Sequence, residues 1–113
     1  MKVIITSKEF EKEFLRLMSF YKEYYWAVAW ANDKSKCFSE LKKNKEKISK
    51  IIIGLHFYQT HPNFIQEFLN EPNIKFIKQT EGVFHSKIYL FKNHDDDWQV
   101  IIGSGNLQMQ LLH

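Results

Sequence analysis

The sequence predicts an α/β protein with a mixed, largely parallel sheet flanked by helices, and three observations predict it. Short apolar runs of strand length alternate with segments of helical periodicity through the first two thirds of the chain. The last third reads instead as consecutive strands joined by a polar turn, which makes the sheet mixed. Hydrophobic residues make up 44% of the 113 residues and aromatics 16%, enough for one core within a single domain spanning 1–113.

Met1 to Ile5 is the first strand. Thr6 or Ser7 caps a helix with Glu9 in its first turn. Phe10, Phe14, Leu17, Met18 and Tyr21 then form one apolar stripe at helical spacing. Tyr24 to Ala31 is a nearly unbroken apolar run, which suits a strand buried on both faces as in a parallel sheet. Asn32-Asp33 breaks it. Lys36 to Lys47 reads as a basic helix with Phe38, Leu41 and Ile48 turned inward, and Ile51 to Leu55 as another buried strand. Thr60 and Pro62 mark the entry to a third helix, whose inner face is Phe64, Ile65, Phe68 and Leu69. Glu71-Pro72-Asn73 stops it, and Ile74 to Ile77 is a strand.

From Val83 to Phe91 the pattern alternates, with Ile88 and Leu90 on one face and Lys87, Tyr89 and Phe91 on the other. Lys92 to Asp97 is a polar turn with Asp95, Asp96 and Asp97 solvated, and Trp98 to Ile102 returns to complete a hairpin. Gly103 to Asn106 is a loop. Leu107 to His113 begins a last helix.

Composition excludes several classes. Four glycines and two prolines exclude a collagenous or low-complexity chain, and no apolar run approaches the ~18–20 residues of a membrane span. The apolar stretch at the N-terminus turns charged after three residues, too soon for a secretory core. A single cysteine, Cys37, forms no internal disulfide, so the expected compartment is the reducing cytoplasm; the thiol either bonds to another chain or, the blander reading, sits buried. The net charge of +3 is mild, but it is unevenly spread. Between Lys34 and Lys50 seven lysines stand against Glu40 and Glu46, a stripe that attracts phosphates or is simply a solvated face. Arg16 is the sole arginine, so bidentate phosphate forks are almost absent.

The chemistry gathers in two segments, Phe84-His85-Ser86-Lys87 and Gly103-Ser104-Gly105-Asn106. His85 and Lys87 share a strand face. A hairpin turning at 92–97 brings its far ends together, so both should lie beside Ser104 and Asn106. A nucleophile or base, a fixed cation, a hydroxyl and an amide then converge, and the glycines let the backbone approach an anion closely. That set suits a phosphoryl group. The competing reading is a His-x-Lys pair on an ordinary exposed strand followed by an ordinary turn.

Other candidates carry less. His56 and His61 flank a loop after a strand, where they either line the same C-terminal edge of the sheet or, the blander reading, are packed or exposed. His56, His61, His85, His94 and His113 lack zinc-ligand spacing. Tyr21, Tyr24, Tyr25, Trp26 and Trp30 have the composition of a base-stacking platform, but a buried strand explains them. Ser104 lacks the Gly-x-Ser-x-Gly elbow of a serine nucleophile.

"FHSKIYLF" followed by "IIGSGNL" resembles the signature of the phospholipase D superfamily, which is His-x-Lys, an Asp, and then Gly-Ser-x-Asn. It is most similar to the single-motif bacterial members of nucleases and of restriction and helicase-linked proteins, and "IIIGLHFYQT" resembles the strand and loop that precede the motif there. The resemblance implies a phospholipase D-like half domain. It assigns His85 as the nucleophile that forms a phosphohistidine, with Lys87 and Asn106 holding phosphate oxygens and Gly103 and Ser104 beside them. It also implies that no metal or cofactor is needed, and that two copies meet as a homodimer so that a second His protonates the leaving group. Two departures stand out. The family's Asp position, five after Lys87, is Lys92, and the chain ends at His113, where family members continue. The chain is therefore expected to be a truncated domain, a fragment or a degenerate member of the family.

Three functions follow as expectations. The first is a metal-independent phosphodiesterase, a nuclease acting on DNA, favoured over lipid because of the basic segment and the lack of a membrane-binding surface. The second is a catalytically inactive accessory domain of a restriction or helicase system that binds phosphate or nucleic acid. The third is a phospholipid-acting enzyme.

Overall fold

A computed structural model of the chain describes residues 2–5, 7–28, 36–54, 62–77, 87–94, 96–103 and 109–112, with side chains for those between 9 and 102. The elements are β1 (Lys2–Ile5), α1 (Ser7–Phe20), β2 (Glu23–Val28), α2 (Lys36–Lys43), a 3-10 turn (Lys45–Lys47), β3 (Ile48–Gly54), α3 (Pro62–Phe68), β4 (Ile74–Ile77), β5 (Lys87–His94), β6 (Asp97–Gly103) and β7 (Met109–Leu112). They form one seven-stranded sheet in the order β1-β7-β6-β5-β2-β3-β4.

The α/β class with a mixed sheet is as the sequence predicts. β2, β3 and β4 are parallel, each joined to the next through a helix. The β5–β6 hairpin then returns to the middle of the sheet, and β5 pairs antiparallel with β2. β7 lies antiparallel between β6 and β1. Five strands consequently run one way, against β5 and β7.

The core lies on one face. α1 brings Phe14 onto Trp26, Tyr89 and Phe91, with ring centroids 5.1, 4.7 and 5.3 Å away. Phe38 of α2 meets Phe64 and Phe68 of α3, over Ile51 and Ile53 of β3. All three helices therefore cover the face that carries Trp26, Ile51, Ile53, Tyr89 and Phe91.

The opposite face carries Tyr25, Ala27, Ile52, Ile77, Ile88, Leu90, Val100 and Ile102, and none of these is buried. Ile77 is 43% exposed and Ile88 39%. The expectation that the Tyr24 run is buried on both faces is thus corrected. Tyr24, Trp26 and Val28 are buried, and Glu23, Tyr25 and Ala27 are only partly so, because no described helix lies over their side.

Three polar ties fix the connections. The Tyr24 hydroxyl and the Lys47 ammonium both donate to the Met18 carbonyl, at 2.6 and 2.9 Å, and so satisfy the end of α1. The Asn73 amide donates to the Ile48 carbonyl at 3.0 Å, while the Asn73 carbonyl accepts from the Ile51 N–H at 2.9 Å, which locks the α3–β4 turn to β3. Asp97 accepts from the Tyr21 hydroxyl at 3.2 Å and from the Asn93 amide at 3.1 Å. Asp97 is therefore a structural pin rather than a solvated turn residue. Asp96 is exposed, and Asp95 lies outside the described residues.

Other expectations shift. The basic helix ends at Lys43, and Ile48 opens β3 instead of packing from a helix. β5 continues to His94, so the polar turn shrinks to the residues before Asp97, because Lys92 pairs with Trp98 and His94 with Asp97. Leu69 is 62% exposed, since α3 stops at Phe68. The expected last helix is instead the strand β7, the element through which β1 joins the sheet.

The uncovered face yields a stability contrast. Phe91→Ala, at 0% exposure, is expected to cost about 3–5 kcal/mol. Ile88→Lys on the bare face should cost under about 0.5 kcal/mol. Urea unfolding of both variants checks this, and equal losses would mean that the second face is covered.

Candidate phosphate site at the sheet edge

Val28, Gly54 and Ile77 are the last residues of β2, β3 and β4, and they lie at one edge of the sheet, Gly54 paired with Ile77 and Val28 with Ile53. Lys87 opens β5 at that same edge, paired with Val28 on one side and with Gly103, the last residue of β6, on the other. Ligands of open α/β sheets bind outside this carboxyl edge. Segments 29–35, 55–61, 78–86 and 104–108 all join the described strands here. By sequence they hold His56, His61, His85, Ser104 and Asn106.

Those five residues lie outside the described ones. Of the candidate set, the structure describes Lys87 and the backbone of Gly103, which face each other across the β5–β6 ladder. His85 is two residues before Lys87, Ser104 directly follows Gly103, and Asn106 comes two residues later. The two anchor points of the motif halves are thus neighbours.

Lys87 shares its strand face with Tyr89 and Phe91, so its stem runs under α1 toward the core. Burial holds its ammonium below the usual lysine value of 10.5, because desolvation disfavours the charged form. Lys87 also lines a cavity of ≈ 190 Å³, whose walls include Phe14, Trp26, Phe38 and Tyr89 and whose other charged member is Glu11. Burial raises the Tyr89 hydroxyl above its ordinary value, and the neighbouring Cys37 adds to the effect. Cys37 is half-buried rather than fully buried. Trp26 is 7% exposed, and its Nε1–H has no acceptor among the described residues. Sequence reasoning places Trp26 in a buried strand and misses Glu11. The usable signal was the face that Lys87 shares with Phe91.

The expected basic stripe is not one surface. Lys45 pairs with Glu67 at 3.2 Å and with Glu71 at 3.6 Å, Lys43 with Glu40 at 3.7 Å, and Lys42 lies 4.8 Å over the Phe38 ring. Lys47 is spent on the end of α1. The 3-10 turn that carries Lys45 and Lys47 precedes β3, at the edge opposite Lys87. Arg16 pairs with Glu13 on its own helix. Asp97, at the far end of β6 from Gly103, is about 20 Å away at ~3.3 Å per strand residue. It lies too far from this edge to orient a side chain there.

The sequence matches no protein-family model and no curated protein. Its fold is similar to that in the crystal structure of polyphosphate kinase from Porphyromonas gingivalis, with a TM-score of 0.61 and 14% identity. The similarity covers 98% of this chain and 23% of that one, so the chain spans under a quarter of its structural neighbour. The mixed α/β fold with flanking helices expected from the sequence is the fold observed. Among the described residues, no helix is long and apolar enough to cross a membrane.

The lowered ammonium at Lys87 has a measurable sign. The folded chain binds this proton less tightly than the unfolded one. Stability should therefore rise with pH between the lowered folded value and 10.5. Lys87→Met should flatten that rise in unfolding measurements across alkaline pH, and a parallel pair of curves would contradict it.

Proposed function

We propose that this chain is a metal-independent phosphodiesterase, a nuclease that cleaves DNA at a site completed by a second copy. One observation carries the reading: Lys87 stands opposite Gly103 at the sheet edge where the segments bearing His85, Ser104 and Asn106 join the strands. The name of the structural neighbour places phosphoryl transfer on a similar fold.

In this reading His85 attacks the phosphorus in line. A P–N bond forms as the P–O bond to the leaving group breaks, and the leaving oxygen takes a proton from His85 of the partner subunit. That second imidazole then removes a proton from water, which attacks phosphorus, breaks the P–N bond and frees His85. Lys87 and Asn106 hold the non-bridging oxygens, and Ser104 and the Gly103 backbone lie beside them. No metal or cofactor enters a step.

A second reading has its own observation. The acidic position of the motif is Lys92, and Asp97 is tied to Tyr21 and Asn93 at the other end of the hairpin. A chain without an acid to orient its imidazole suits a domain of a restriction or helicase system that binds phosphate or nucleic acid without cutting it.

Incubation with plasmid and single-stranded oligonucleotide in EDTA separates the two. The expected result is cleavage that falls by about 10³-fold or more in His85→Ala, with a sedimenting dimer as the active species. Equal DNA binding by wild type and His85→Ala with no cleavage by either selects the second reading. Full activity in a strict monomer removes the shared site.

A further inference from the structure

We infer that the cavity under α1 seats one unpaired nucleobase of the strand whose phosphate lies at Lys87, which rests on the nucleic-acid reading above. The cavity of ≈ 190 Å³ exceeds the ~150 Å³ that suffices to hold benzene. It falls short of the ~300–1,000 Å³ typical of sites for a whole drug-sized ligand. Its size therefore fits one ring system.

Its chemistry narrows the ring. Phe14, Trp26, Phe38 and Tyr89 supply aromatic walls, on which bases stack regardless of sequence. Trp26 adds a hydrogen-bond donor, 93% buried and without an acceptor among the described residues. Buried donors are rarely left unpaired. A base presents ring-nitrogen and carbonyl acceptors, whereas an acyl chain or a plain hydrocarbon ring presents none. The cavity has the cation of the proposed phosphate site on its wall. A base can enter only when unstacked, so the substrate class is single-stranded or locally opened DNA.

The test uses the full chain and fluorescence anisotropy in EDTA, with a short single-stranded oligonucleotide and its abasic counterpart. Wild type should bind the base-containing strand about tenfold or more tightly than the abasic one. Trp26→Phe should reduce that ratio, and Leu41→Phe, which fills the cavity from α2, should abolish it. Should either variant fail to fold by circular dichroism, the wild-type ratio and the other variant decide.

A ratio near one in wild type overturns the base seat. If His85-dependent cleavage survives alongside that ratio, the nuclease reading stands and only this inference falls. If neither strand binds nor is cut, the nucleic-acid reading fails first. A ratio unchanged in Leu41→Phe would mean that the base is read elsewhere.

Discussion

The placement of one phenyl ring, Phe14, decides how the rest of the molecule is arranged. It meets Trp26 of β2 and Tyr89 and Phe91 of β5 in edge-on contacts, the geometry that aromatic quadrupoles prefer. Those two strands form the seam where the sheet changes from parallel to antiparallel pairing. A helix clamped across that seam fixes the register of β5 against β2. The register in turn sets Lys87 beside Val28 and opposite Gly103. The same clamp turns the Lys87 face of β5 toward the core, so the cation at the sheet edge is half-desolvated and adjoins an aromatic cavity.

The polar ties serve the same end from the opposite end of the strands. Tyr21, Asn93 and Asp97 bind the turn of the β5–β6 hairpin to the junction between α1 and β2, with Asn93 also accepting from the Lys22 N–H at 2.9 Å. With its turn pinned there, the hairpin presents its open end at the candidate site. Two lysines of the basic segment go into structure as well. Lys47 closes α1, and Lys45 bridges to α3 and the turn after it. Lys36, Lys42, Lys43 and Lys50 stay exposed.

Much of this was legible in the residues. The amphipathic stripe from Phe10 to Tyr21, the strand at Ile74–Ile77 and the alternation around Ile88 and Leu90 all follow from side-chain period alone. So does the hairpin that brings Lys87 and Gly103 together. What period cannot show is whether a second layer exists. The Tyr24 run looks doubly buried because Tyr25 and Ala27 are apolar, yet they face no described helix. Met109–Leu112 looked like a helix start because four residues carry too few periods to tell the two apart. Its pairing with β6 and β1 is a long-range fact. For the site, spacing located the two motif halves, but the cavity wall is assembled from α1, α2, α3, β2, β3 and β5, and no local pattern reports such a meeting.

The bare side of the sheet has a thermodynamic consequence. Ile77, Ile88 and their neighbours stay in contact with water after folding, so the transition dehydrates less hydrocarbon than a chain of this length with a sheet covered on both sides would. Heat capacity increments and denaturant m-values both scale with newly exposed area. The folded state accordingly has a flatter stability curve and a shallower response to urea than its residue count alone implies.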